Sequence, residues 1–286
     1  MAVSQLPPGV ALSGNGRGYI FHDTLYPRVT SIKSFASGEI TVFLPTSDDD
    51  NGKVPVSWEA SMAAQRAVDD PTILSLPRTE AVATIASAAG EYKRFRGSVG
   101  SEVHDAIYSI LTRQPIDPIQ FPESLSYLKA FKGFMQEWRP RFHFLETFVL
   151  SDEYNYGGNL DAVAEFPSLP GKLFILDWKT SKSMSDDFGI QFAAYRYAQK
   201  MVLPDGSVIP MPRIDGAMGI HLQPTGKATP YFYDTSREIF QGFVACRHLW
   251  RLKNEMKQHK CVVRNPATLS QKEATIPLRE PSRLAL

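Results

Sequence analysis

The sequence is poor in cysteine, with only Cys246 and Cys261 among its 286 residues. Two thiols are too few for a framework of several disulfides, and they cannot supply the four ligands of an iron–sulfur cluster. We therefore expect both cysteines to be unpaired thiols, and we expect no iron–sulfur cluster.

Long apolar runs are also missing from the sequence. No stretch approaches the length needed to span a membrane, and residues 1–8 contain no basic segment ahead of an apolar core. These absences predict a soluble intracellular protein without a membrane partner.

An excess of charge of either sign is the third absence. Lysine and arginine number 31 against 30 aspartates and glutamates, for a net charge of +1. Any contact with nucleic acid must therefore come from a local groove rather than from a general basic field. The sequence also shows no glycine-rich phosphate loop, zinc-finger spacing, heptad run or internal repeat.

What the sequence does contain is a charged end on an apolar hairpin. Two apolar runs flank a turn at residues 167–171, which predicts a β-hairpin over residues 157–179. The second run is apolar on both faces, as in a central strand, yet it ends in Asp177 and Lys179. These two side chains share one face and Trp178 points to the other, so a metal ion and a phosphate could lie between them. The alternative is a buried ion pair, which costs desolvation.

The segments around this hairpin show helical and strand periodicity. His104 lies at the border of an apolar helical stripe, where a histidine is more often packed or solvated. Glu146 lies within a predicted strand, and Gln191 and Tyr195 are one turn apart on a helix, where an isolated pair usually belongs to the surface. The predicted helices are 58–68, 80–95, 99–110, 123–138, 186–201 and 236–257, and the further predicted strands are 142–150, 215–222 and 230–234.

Taken together, these segments predict an α/β fold with a central mixed sheet flanked by helices. We divide the chain into a mostly helical N-terminal region (1–96), a core (97–260) and a C-terminal tail (261–286). The acidic loop 47–52 is interpreted as solvated and is assigned no function.

The order of the charged and polar residues carries more information than any one of them. His104 on a helix is followed by Glu146 on a strand, and then by three motifs: Gly157-Gly158-x-x-Asp161, Asp177-x-Lys179 and Gln191-x-x-x-Tyr195. Over residues 97–201 this order resembles the RecB-type branch of the PD-(D/E)XK nuclease superfamily, which includes phage and mitochondrial genome-maintenance exonucleases. The resemblance implies a restriction-endonuclease-like core.

The resemblance also implies roles for particular residues. Asp161 and Asp177 would ligate a divalent metal, with His104 and the backbone carbonyl of Trp178 as further ligands. Lys179 would work beside the attacking water, and Glu146 would stand where the family commonly has an acidic residue. Gln191 and Tyr195 would support the active site and the nucleic-acid backbone. Carboxylate ligands suit Mg²⁺, and a histidine nitrogen extends tolerance towards Mn²⁺.

Three hypotheses follow from the sequence. The first is a metal-dependent DNA exonuclease acting on single-stranded or duplex ends in recombination, repair or phage replication. It would work with replication or recombination proteins in the cytoplasm, or in the host cytoplasm if a phage encodes it. The second is a non-catalytic module that binds nucleic-acid ends with a nuclease-like fold. The third is a structural α/β protein in which the motif matches are accidental.

Overall fold

A computed structural model of the protein describes residues 6–36, 41–45 and 53–259. The described residues up to Arg247 form one compact unit, and those from His248 onward belong to a second. The acidic loop 47–52 and the tail 261–286 lie outside the described residues. No helix within the described ranges combines the length and the apolar character that crossing a membrane requires.

The chain alternates short strands and helices before it enters a large sheet. In chain order the described elements are β1 (Val10–Leu12), β2 (Gly18–Phe21), β3 (Thr24–Pro27), α1 (Val29–Lys33), β4 (Thr41–Pro45), β5 (Lys53–Ser57), α2 (Trp58–Asp69), a 3-10 turn (Pro71–Ser75), α3 (Arg78–Thr112), α4 (Ser124–Trp138), β6 (Arg141–Ser151), β7 (Tyr156–Phe166), β8 (Leu169–Lys179), α5 (Phe188–Arg196), β9 (Lys200–Val202), β10 (Val208–Pro210), β11 (Gly216–Leu222), β12 (Ala228–Tyr233) and α6 (Arg237–His259).

Seven strands form one mixed sheet in the order β10-β9-β6-β7-β8-β11-β12. The β8–β11 pair is parallel, and the remaining neighbours are antiparallel. The predicted α/β class with a central mixed sheet flanked by helices is therefore confirmed. The predicted hairpin over residues 157–179 is also confirmed, as β7 and β8 lying at the middle of the sheet.

The two faces of the sheet are covered by different helices, and neighbouring side chains at the end of β8 point to opposite faces. Helices α3 and α4 pack one face, where the Trp178 ring lies 5.2 Å from the ring of Phe131 and 6.0 Å from that of Phe134. Helix α5 lies against Asp177, through a hydrogen bond from Gln191. The predicted alternation of Asp177 and Lys179 against Trp178 is thus confirmed.

Two boundary predictions are wrong. The separate helices predicted over 80–95 and 99–110 are one helix of 35 residues, α3. Isolated glycines such as Gly97 cost only about 1 kcal/mol each in a helix, and α3 contains no proline to break it. Helix α5 ends at Arg196 rather than near Met201, because Lys200–Val202 pairs with β6 and β10 as a strand. The N-terminal region, predicted to be mostly helical, contains α1, α2 and the start of α3 together with strands β1 to β5.

Candidate metal centre

Asp161 stands where β7 and β8 stop pairing through their main chains. Their register runs from Phe166 opposite Leu169 to Ala162 opposite Leu176. One residue further along β7, Oδ2 of Asp161 accepts a hydrogen bond from the main-chain N–H of Trp178 at 2.8 Å. The buried carboxylate of Asp161 therefore bridges β7 and β8 next to the Asp177-x-Lys179 motif.

His104 approaches this bridge from α3. Its Nδ1 lies 3.4 Å from Oδ2 of Asp161, and its Nε2 lies 2.8 Å from the carbonyl oxygen of Trp178. Because a carbonyl and a carboxylate only accept hydrogen bonds, these neighbours favour an imidazole ring that is protonated on both nitrogens. Burial opposes that charge, but the neighbouring carboxylate of Asp161 outweighs it and raises the pKa of His104 to about 9. The site therefore gathers acceptors around a positive charge.

Glu146 reaches the same place from β6 through an unusual backbone. Its φ is +43°, a left-handed conformation that costs a residue with a side chain about 1–3 kcal/mol. Nδ2 of Asn159 donates a hydrogen bond to its Oε2 at 2.6 Å. Burial and the charge of Asp161 raise the pKa of Glu146 to about 8. The strain and the raised pKa both indicate a carboxyl group that is held in place for a cation.

His104, Glu146 and Asp161 together fit a divalent metal. One ligand atom from each side chain lies within 4.8 Å of the other two. Two carboxylate oxygens and an imidazole nitrogen are a donor set that suits Mg²⁺ or Mn²⁺. In addition, Oδ1 of Asn159 is buried and receives no hydrogen bond from the part of the chain that the structure describes, so a polar atom beside the group stays available.

Asp177 lies beside this group and faces Lys179. Its Oδ2 is 2.5 Å from Nζ of Lys179, and the two side chains are 4% and 17% exposed. Burial and the nearby Asp161 raise the pKa of Asp177, while Lys179 and His104 oppose the rise. The buried ion pair that the sequence left open as an alternative is therefore present. It occurs next to the His104, Glu146 and Asp161 group, which an isolated structural ion pair does not explain.

Gln191 and Tyr195 hold Asp177 from α5. Nε2 of Gln191 donates to Oδ1 of Asp177 at 3.1 Å and to the hydroxyl oxygen of Tyr195 at 3.2 Å. Both side chains are buried, so the surface interpretation of this pair is wrong. Burial and the charge of Asp177 raise the pKa of Tyr195 well above its usual range, so its hydroxyl stays protonated.

The paired glycines of the Gly157-Gly158 motif allow close packing at the entry to β7. A Cβ on Gly158 would lie 2.6 Å from Cε1 of Tyr195, and one on Gly157 would lie 2.7 Å from Cζ of Phe148. Both rings belong to buried side chains, so neither can move aside cheaply. The motif thus serves the position of Tyr195 and, through it, that of Gln191.

The site residues predicted from the sequence do not include Asn159, Lys33 or Phe188. Asn159 could have been found from its position two residues before Asp161, which places both on one face of a strand. Lys33 is 144 positions before Asp177, and it approaches the site only because α1 packs against α5. No local pattern in the sequence predicts the packing of α1 against α5.

Comparison with known proteins does not assign the chain to a family. No family model matches it, and no curated protein matches it. The resemblance to the PD-(D/E)XK superfamily therefore rests on the ordered motif residues.

Proposed function

We propose that the protein is a metal-dependent DNA exonuclease of the RecB-type branch of the PD-(D/E)XK superfamily. It hydrolyses phosphodiester bonds from DNA ends in recombination, repair or phage replication. The observation that carries the proposal is the convergence of His104, Glu146 and Asp161 beside the Asp177–Lys179 pair. A cation site next to a half-buried ammonium group suits the hydrolysis of an anionic ester.

The side chains that would hold the ion are those of His104, Glu146 and Asp161, with Asp177 and the Trp178 carbonyl next to them. A bound Mg²⁺ or Mn²⁺ supplies charge neutralisation at the phosphoryl oxygens and lowers the pKa of a coordinated water. The hydrogen bond from the Trp178 N–H fixes Oδ2 of Asp161, and Asn159 fixes the carboxylate of Glu146. These contacts orient the ligands before any substrate arrives.

Lys179 is the group that acts on the phosphate. Its ammonium lies against Asp177 and 4.5 Å from the centroid of the Phe188 ring, which limits its movement. From this position it donates hydrogen bonds to a phosphoryl oxygen and stabilises the negative charge that develops during attack. Gln191 holds the Asp177 carboxylate from the opposite side and so positions the pair.

Two exposed aromatic rings on α3 support DNA as the substrate despite the small net charge. Tyr92 and Phe95 are three residues apart on the helix, so they share a face, and they are 44% and 41% exposed. Tyr92 is 12 residues before His104 on one helix, or about 18 Å along its axis. Exposed aromatic rings bind single strands by stacking on the bases.

The experiment is digestion of DNA labelled at one end, in linear single-stranded, linear duplex and circular forms, with Mn²⁺ or with EDTA. We expect metal-dependent loss of linear DNA, resistance of circles, and a loss of at least about 100-fold in rate for Lys179→Ala. Lys172→Ala is the matched control. Lys172 lies on β8, as Lys179 does, and it also forms an ion pair, with Asp215 at 3.5 Å.

The outcome separates this proposal from a module that only binds DNA ends. Binding of linear DNA without turnover, and without a need for Mn²⁺, would favour the binding module. Cleavage that is undiminished in Lys179→Ala would remove the assigned role of Lys179. Neither binding nor cleavage, together with no effect of Mn²⁺ on thermal stability, would favour a structural protein.

A further inference from the structure

The ring of Phe188 contacts two ammonium groups. Nζ of Lys179 lies 4.5 Å from the ring centroid, and Nζ of Lys33 lies 4.4 Å from it, so the two nitrogens are at most 8.9 Å apart. Lys33 is the last residue of α1, and Phe188 is the first residue of α5. Two distant segments of the chain thus bring a second cation beside the lysine assigned to the phosphate.

Lys33 is held in the same way as Lys179. It forms an ion pair with Asp187 at 3.0 Å, and its side chain is 13% exposed, against 17% for that of Lys179. Burial lowers the pKa of Lys33 and Lys179 lowers it further, while Asp187 and Asp177 oppose the decrease. Two ammonium groups within 8.9 Å of each other repel, and an anion that contacts both lowers that cost.

We infer that Lys33, with Phe188 and Lys179, forms a binding site for the phosphate group that neighbours the scissile one. This inference rests on the proposed nuclease function and adds a positioning residue to it. The Phe188 ring holds both ammonium groups within 8.9 Å of each other, and Lys33 binds the DNA backbone so that the scissile phosphate meets Lys179.

The competing explanation is that Lys33 only joins α1 to α5 through its ion pair with Asp187. The two explanations predict different effects for the substitution of Asp187. If the ion pair alone matters, Lys33→Met and Asp187→Asn both weaken DNA binding, since each of them removes that ion pair. If Lys33 binds phosphate, only Lys33→Met removes the cation. The Asp187 side chain makes no hydrogen bond to the first turn of α5, so its replacement by asparagine does not remove a helix cap.

The test measures affinity for a short fluorescent single-stranded DNA over a series of salt concentrations, with Ca²⁺ in place of Mn²⁺ to limit cleavage. We expect about tenfold weaker binding for Lys33→Met, and a salt slope reduced by about 0.7, which corresponds to one lost phosphate contact. Lys33→Arg should keep the wild-type slope. The control Lys172→Met should bind the DNA with wild-type affinity. Asp187→Asn should bind it with wild-type affinity or more tightly.

A melting curve verifies the fold of each variant, and Lys33→Gln replaces Lys33→Met if the latter does not fold. Equal affinities and salt slopes for Lys33→Met and Asp187→Asn would overturn the inference. Wild-type affinity in Lys33→Met, together with cleavage that still depends on Lys179, would overturn it and leave the nuclease function intact. A wild-type protein that neither binds nor cleaves DNA would overturn both.

Discussion

Binding of Mn²⁺ to the candidate metal centre should release close to two protons at pH 7. Without the ion, the pKa of His104 is raised to about 9 and that of Glu146 to about 8, so both side chains are largely protonated at neutral pH. Both must lose a proton to act as ligands. The ion therefore competes with protons, and its affinity must rise with pH.

The size of the effect follows from these two pKa values. Between pH 7 and pH 8 the fraction of sites with both side chains deprotonated rises roughly 50-fold, and the apparent affinity should rise by the same factor. Calorimetric titration in two buffers of different ionisation enthalpy measures the released protons directly. Glu146→Gln should reduce the release to about one proton and weaken binding, since it removes one titrating ligand.

Binding of Mn²⁺ without release of protons would contradict this prediction. If Mn²⁺ binds with the same heat in both buffers, and with the same affinity at pH 7 and pH 8, no protons are released. His104 and Glu146 would then not be the ligands, and the ion would have to bind elsewhere.

The remaining predictions concern stability and packing. Because the pKa of His104 is raised in the folded protein, its contribution to stability is fully present below about pH 6.5. It is lost as the pH rises through about 9, so the melting temperature of the metal-free protein should fall over that range and recover on addition of Mn²⁺. Gly158→Ala should destabilise the fold by about 1–3 kcal/mol and slow cleavage, because the new Cβ would lie 2.6 Å from Tyr195 Cε1. Gly133→Ala, where a Cβ meets nothing within 4 Å, is its control, and equal effects of the two would contradict the packing argument. Trp178→Ala should cost about 3–5 kcal/mol in chemical denaturation, since the ring is buried between α4 and the sheet. A loss below about 1 kcal/mol would show that Trp178 is not a core residue.

The sequence predicted those parts of the fold that depend on local pattern. The apolar runs on either side of residues 167–171 define the β7–β8 hairpin, and alternation along β8 correctly separates Asp177 from Trp178. Helix α4 and the β11–β12 hairpin are recovered for the same reason. In each case the local preference agrees with the tertiary environment.

The sequence could not predict features that depend on contacts between distant segments. Lys200–Val202 continues a helical pattern in sequence, but pairing with β6 and β10 makes it a strand. The positive φ of Glu146 has no counterpart in its residue type, because a left-handed glutamate is held only by its surroundings. Lys33 likewise enters the site through the packing of α1 on α5.

The central claim is that the β7–β8 hairpin and His104 form one metal-dependent phosphodiesterase centre. The most direct measurement is the single-turnover rate at which an end-labelled DNA strand is cleaved at saturating Mn²⁺, in the wild type and in Asp161→Asn. Our account predicts cleavage from an end that stops with EDTA and is at least about 100-fold slower in Asp161→Asn. Cleavage that continues in EDTA, or that is equally fast in the variant, would contradict it.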